Sequence, residues 1–359
     1  MAAASSIERR GCHVTVGRAL SPHFRARQTA RMARIFVSRI PPGLAVERLR
    51  AAGHEVEVWP GELPPSREAL GAALAGADAV LSMVTDRIDA ALLEASPRLR
   101  IIANMAVGYD NVDPAVAAAA GVWLTNTPGV LAETTADMAF ALLMAAARNV
   151  VASDRDTRAG GWRTWSPTAF LGQDLFGATL GIVGLGQIGS AVARRAAGFK
   201  MRVLYSSRTP KPELEATLGA VHVPFPDLLR QSDFVSLHTP LTAETERLMG
   251  GPEFELMKRS AILINTARGK VVDQDALMTA LRTGEIAGAA LDVTDPEPLP
   301  LDHPLFSLPN VIITPHIASA SLATRSKMAE MAAQNILAVL SGRQPVNPVN
   351  RPAHPRQSS

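Results

Sequence analysis

Along the chain, short runs of β-branched and aliphatic residues alternate with longer stretches whose apolar positions recur at helical spacing. The runs at residues 34–40, 55–59, 79–84, 100–105 and 122–125 read as strands, with Ala- and Leu-rich helices between them. A strand and a helix in strict alternation is the pattern of parallel α/β construction, because two parallel neighbours need a crossover. A long helix is predicted over 132–155, with Met138, Ala139, Leu142, Leu143 and Ala146 at helical spacing, enough to join two domains. Gly160, Gly161, Trp162, Arg163, Thr164 and Trp165 interrupt it, and a second strand-helix series begins at Thr179. That series runs through 179–183, 202–206, 234–237, 261–265, 287–292 and 311–314, the inventory of a doubly wound dinucleotide-binding sheet. A last helix over 322–340 can return to the first domain, and the Pro-, Asn- and Arg-rich residues past Gly342 read as an extended tail.

Composition narrows the class. The chain has 359 residues, 47% hydrophobic and 19% charged, which supports a sizeable core in about two domains and excludes a disordered chain. The single cysteine, Cys12, rules out an intramolecular disulfide and a cysteine metal cluster, so a reducing compartment fits. No run approaches the ~18 uninterrupted apolar residues of a membrane span, so the chain reads as soluble, with no membrane partner. The sequence pI of about 9.3 invites a nucleic-acid partner, but the charge is unevenly placed. Arg9, Arg10, Arg18, Arg25, Arg27 and Arg31 face one acid, Glu8, before position 33, and that surplus of five in a total of +3 leaves the remainder near −2. The body is therefore no polyanion binder by bulk charge. Residues 1–32 read as a disordered basic extension, and their composition resembles a mitochondrial presequence. The simpler reading, which we favour, starts the body at Met32 and places the protein in the cytoplasm.

Chemistry concentrates at the strand ends of the second series. Gly184-Leu185-Gly186-Gln187-Ile188-Gly189 follows an apolar strand and opens a helix. Two glycines allow a tight turn and close approach to a pyrophosphate, the third allows helix and strand to pack, and the helix N-terminus faces the phosphates. After the next strand, where an NAD site usually carries Asp or Glu, this chain has Ser207, Arg208 and Thr209. No carboxylate repels a 2′-phosphate there, and Arg208 can grip one for a roughly ten- to hundredfold preference. The reading is NADP(H) preferred, with NAD(H) possible; the alternative is a loop arginine that meets only water. Further along, Arg268, Glu297 and His316 follow successive strands, at the edge where open α/β sheets bind ligands. Arg268 offers a permanently charged planar fork for a carboxylate or carbonyl, and His316 can deliver a proton near neutral pH with Glu297 orienting it. Singly, each has a structural reading: a helix cap or surface ion pair, a satisfied histidine, a solvated loop acid. Jointly, beside a nucleotide fold, they favour catalysis.

These stretches, with Asn104-Met105-Ala106-Val107-Gly108-Tyr109-Asp110-Asn111-Val112-Asp113, resemble the D-2-hydroxyacid dehydrogenase family over roughly residues 34–345. The tryptophan segment at 160–165, the stretch 291–298 and His303-Pro304-Leu305 are similar to its glyoxylate/hydroxypyruvate reductase branch. The resemblance implies two parallel-sheet α/β domains, one Rossmann-like and one flavodoxin-like, with the cofactor domain (133–317) inserted into a substrate domain (33–132 plus 318–345) and a tail at 346–359. It implies that Arg268 binds substrate carboxylate and carbonyl, that His316 paired with Glu297 donates the proton, and that the backbone of Val107 and Gly108 meets the carboxylate. Asp292, Thr266 and Pro240 would border the nicotinamide, Thr135 would line the cofactor, and Trp165 would reach a partner's pocket in a homodimer, with ordinary packing as the alternative for Trp162 and Trp165. Relatives usually carry Gly where Ala318 stands, which would crowd the cofactor slightly; formate dehydrogenases carry Gln in place of Glu297 and are disfavoured. The implied activity is NADPH-dependent reduction of a small 2-keto acid, glyoxylate or hydroxypyruvate, to the 2-hydroxy acid. Its rivals are a broader 2-ketoacid or phosphoglycerate-type dehydrogenase and a non-catalytic dinucleotide sensor akin to the related corepressors.

Overall fold

Two parallel sheets organise the chain in a computed structural model that describes residues 32–357; the basic extension and Cys12 lie outside the described residues. In the first sheet, β1 (Arg34–Val37), β2 (Glu55–Val58), β3 (Ala79–Ser82), β4 (Ile101–Asn104) and β5 (Trp123–Thr125) pair in the order β2-β1-β3-β4-β5. The second holds β6 (Thr179–Val183), β7 (Arg202–Ser206), β8 (Val221–His222), β9 (Phe234–Leu237), β10 (Ile262–Asn265), β11 (Gly288–Leu291) and β12 (Val311–Ile313), in the order β12-β11-β10-β9-β6-β7-β8. The first order is flavodoxin-like and the second is the Rossmann order with β12 added at one edge. Sequence dictates position within each sheet. β3, β4 and β10 are buried at every residue, as strands covered on both faces must be, whereas β2 reads Glu-Val-Glu-Val with its acids exposed on an edge.

Helices from distant parts of the chain cover these sheets. The helix Leu322–Leu340 lays Met328, Ala329, Ala332, Ala333 and Ile336 on Ile35, Val37, Leu81 and Ala103 of the first sheet. The helix Ala132–Ala147 lays Ala136, Ala139, Phe140 and Leu143 on Leu180, Ile182 and Ile264 of the second. No single described helix is long and apolar enough to cross a membrane.

Three expectations change. The helix predicted over 132–155 is two, Ala132–Ala147 and Val150–Arg158, bent by 62° at Asn149, which takes the left-handed φ of 52° that asparagine tolerates. The second sheet has a seventh strand, β8, whose two residues are too short to leave a periodic signal. The residues assigned to a tail at 346–359 are extended but docked as far as they are described. Pro348 forms an antiparallel bridge with Thr125, the Val349 amide donates to Leu124 O at 2.8 Å, and the Arg356 guanidinium donates to carbonyls of Leu93, Ser96 and Leu99.

Candidate active site

In the second sheet the strand order reverses between β6 and β9, and the glycine loop sits at that point. Gly184 adopts φ +96°, and a Cβ there would lie 2.8 Å from the His238 carbonyl oxygen at the end of β9; a Cβ on Gly189 would lie 2.2 Å from Gly184 O. Both positions therefore require glycine. Gly186 differs: its Cβ direction meets nothing within 4 Å, so this side of the loop is open. The helix Gln187–Ala197 starts there, and the amides of its first turn have no intrahelical acceptor. Ile188 turns onto the apolar cluster of the first sheet, together with Met83 and Val107, so the loop borders both sheets. Two buried hydroxyls beyond the strand ends, Thr239 Oγ1 and Thr266 Oγ1, have no partner among the described residues. An open glycine cradle, free helix amides and orphaned hydroxyls are the features a dinucleotide would complete, and the residues present fit one. Burial pushes the His238 imidazole down to about 4, so it is neutral at this point, with Nε2 at 2.8 Å from Ser236 Oγ.

The ribose end is simpler. Ser207 Oγ donates to Thr209 O at 2.7 Å and closes the turn after β7, while Arg208 and Thr209 are exposed. Glu244, held below the usual carboxylate range chiefly by its Thr242 hydrogen bond, also feels the Arg208 charge. Pro240 is exposed and its carbonyl accepts from Thr245 Oγ1 at 2.6 Å.

β10, β11 and β12 are adjacent, so the residues after them share one edge. Asn265 ties the turn beyond β10, donating from Nδ2 to Arg268 O and accepting from the Ala267 amide. Gly269 lets this turn press on the loop after β11, since a Cβ would lie 2.0 Å from Thr294 O. Arg268 then reaches the first sheet. Its Nε donates to Asp110 Oδ1 at 2.8 Å, its Nη1 to Ala267 O at 2.8 Å, and its Nη2 lies over Gly108, 1.6 Å from where a Cβ would stand. The carbonyls of Val107 and Gly108 are turned away, accepting from Asn126 Nδ2 at 2.8 Å and Asn104 Nδ2 at 2.9 Å. Among the described residues their amides donate to nothing, which leaves backbone N–H groups beside a guanidinium, the makings of a carboxylate nest.

After β12, His316 holds a left-handed φ of 52°, a conformation that costs a non-glycine residue on the order of 1–3 kcal/mol and persists only where the surroundings impose it. Asp292 imposes it: its carbonyl accepts from the His316 amide, and its buried carboxylate accepts from Thr314 Oγ1 (2.6 Å), Ile317 N (2.9 Å) and Ala318 N (2.7 Å). His316 Nδ1 bonds Glu297 Oε1, which leaves Nε2 free to carry a proton outward.

The structure thus brings Arg268 against Gly108, Glu297 against His316, and Asp292 beneath the His316 turn. Thr135 is buried in its helix, whereas Trp165 stands 79% exposed. Asp110, Asn104 and Asn126 went unassigned in the sequence. Asp110 lies 158 residues from the arginine it binds, a separation that leaves no local pattern.

Comparison with known proteins identifies the family of the chain. Residues 140–318 match the model of the D-isomer specific 2-hydroxyacid dehydrogenase, NAD binding domain. The chain is 53% identical over 319 residues to a glyoxylate reductase of Korarchaeum cryptofilum, covering 89% of this chain and 96% of that one. A crystal structure of a Thermus thermophilus protein superposes with a TM-score of 0.83 at 52% identity, covering 88% of this chain and 99% of that one. An NADPH-dependent glyoxylate/hydroxypyruvate reductase of Sinorhizobium meliloti, in complex with NADP and malonate, superposes with a TM-score of 0.80 at 33% identity, covering 91% and 99%.

Proposed function

Because the chain belongs to the D-isomer specific 2-hydroxyacid dehydrogenase family, we propose that it catalyses NADPH-dependent reduction of glyoxylate and hydroxypyruvate to glycolate and D-glycerate. It is a nicotinamide-dinucleotide-dependent oxidoreductase acting on 2-hydroxy acids. The observation that carries the substrate reading is the Arg268 fork lying over Gly108 beside the unbonded amides of Val107 and Gly108. A 2-keto acid has the matching carboxylate, and Arg268 holds it with charge-assisted hydrogen bonds while polarising the adjacent carbonyl. When bound, the reduced nicotinamide supplies the hydride. His316, oriented through Nδ1 by Glu297, gives its Nε2 proton to the oxygen that becomes the hydroxyl.

Within this reading Gly184, Gly186, Gln187, Ile188 and Gly189 hold the pyrophosphate, Pro240, Thr266 and Asp292 border the nicotinamide, Thr135 lines the cofactor elsewhere, and Ser207, Arg208 and Thr209 receive the 2′-phosphate. The preference for NADPH rests on the absence of a carboxylate at Ser207 and on the Sinorhizobium meliloti relative crystallised with NADP. The exposed Trp162, Trp165, Phe170 and Leu171 support a homodimer in which Trp165 serves the partner's pocket. Following reduced-nicotinamide absorbance with glyoxylate, hydroxypyruvate and 3-phosphohydroxypyruvate, each with NADPH and NADH, tests it. Turnover of the first two with NADPH is expected. Turnover confined to the phosphorylated acid, or to NADH, replaces that part of the proposal, and no turnover favours a nucleotide sensor.

A further inference from the structure

We infer that Asp110 is a positioning residue that aims the Arg268 guanidinium, an assignment that rests on the keto-acid reading of the same cleft. The two residues come from different sheets. Asp110 follows β4 in the loop that carries Val107 and Gly108, and Arg268 follows β10, yet Asp110 Oδ1 accepts from Arg268 Nε at 2.8 Å. The guanidinium is pinned at two corners, Nε to Asp110 and Nη1 to Ala267 O, each at 2.8 Å. A planar fork fixed at two corners cannot turn, so its remaining Nη2 edge is committed to the Gly108 amide surface.

The loop is itself braced for this task. Asn104 Nδ2 bonds both Gly108 O (2.9 Å) and Asn111 Oδ1 (3.3 Å), and Asn111 Nδ2 bonds Met83 O and Asp86 O, so the residues on both sides of Asp110 are tied to the ends of β3 and β4. Arg268 by contrast projects from a turn and crosses between the sheets. Without Asp110 its long side chain regains rotamers in which no N–H edge meets the nest. An acid this close to a substrate-binding cation lowers the local positive charge and by itself opposes anion binding, so its benefit must be orientation rather than attraction.

The experiment measures oxalate binding to the cofactor-loaded full chain by calorimetry, alongside steady-state kinetics with glyoxylate, for wild type, Asp110→Ala and Asp110→Asn. Asp110→Ala is expected to weaken oxalate and raise KM for glyoxylate about tenfold or more with a smaller change in kcat and unchanged cofactor affinity. Asp110→Asn keeps an acceptor for Nε and should return both to within about threefold of wild type. In an Arg268→Ala background the effect of Asp110→Ala on oxalate should vanish, because its target is gone. Wild-type oxalate affinity in Asp110→Ala, failure of Asp110→Asn to rescue, additive losses in the double variant, or no oxalate binding by wild type each overturn the assignment. Oxalate binding without glyoxylate turnover in wild type would count against the proposed reaction alone and leave the Asp110 comparison decisive.

Discussion

His316 joins three features in one residue: a left-handed backbone, a carboxylate on Nδ1 and an Nε2 with no partner among the described residues. Replacing it with alanine removes the proton donor while leaving the glycine cradle on β6 intact. His316→Ala should lower kcat by about two to four orders of magnitude, with cofactor affinity, read by quenching of protein fluorescence, close to wild type. Near-normal turnover would dismiss the residue as the acid. Ser207 acts at the other end of the cofactor. Its hydroxyl donates to the Thr209 carbonyl, a bond an acceptor-only carboxylate cannot make, so an aspartate there would turn outward and add a charge that repels a phosphate. Ser207→Asp should shift the NADPH to NADH ratio of kcat/KM toward NADH roughly ten- to hundredfold; an unchanged ratio would refute Ser207 and Arg208 as the selectivity pair.

At the scale of elements, the segment after the helix Leu322–Leu340 acts as a strap on the first sheet. Asn350 is its buried fastener: Oδ1 accepts from the Leu124 amide at 2.8 Å, and Nδ2 donates to Val122 O at 2.9 Å and Pro114 O at 3.2 Å. Removing the side chain leaves backbone groups at the β5 edge unsatisfied, at a cost of about 1–3 kcal/mol. Asn350→Ala should therefore lower the urea midpoint while kinetics under native conditions stay near wild type, because its bonding partners Leu124, Val122 and Pro114 do not line the cleft. A midpoint equal to wild type would show that water replaces these bonds without loss. Elsewhere a similar economy holds the two helices next to the glycine motif together, where Arg195 bonds Glu133 and Asp137 on the helix Ala132–Ala147. Exposed pairs of this kind contribute little singly, so the apolar face beneath them carries that contact.

For the whole molecule, the two sheets meet where Arg268 bonds Asp110, and beyond β9 the second sheet carries a titratable group that the fold keeps neutral. His238 titrates at about 4 when folded, against 6.5 for the free side chain, because burial disfavours its charge. The unfolded chain thus binds this proton first on acidification. The resulting contribution to stability is fully present above about pH 6.5 and is lost as pH falls toward 4, by on the order of 3 kcal/mol. His238→Gln, which retains an amide for Ser236, should flatten the thermal midpoint over that interval relative to wild type, whereas parallel curves for the two proteins would place the acid sensitivity elsewhere.

The sequence by itself determined the two strand-helix series, the glycine turn, the length of the last helix and the placement of Arg268, Glu297 and His316 after successive strands. Those features are local: periodicity, capping and glycine spacing act over a few residues and leave a readable pattern. Tertiary structure decided the rest. The bend at Asn149, the short strand β8 and the docking of Asn350 and Arg356 depend on what each segment packs against. So does the cleft itself, in which Asp110 and Gly108 from one sheet receive Arg268 from the other, and Asp292 holds His316 in a backbone conformation its own side chain disfavours. Such contacts join residues far apart in the chain, and only a folded backbone brings their atoms within hydrogen-bonding range.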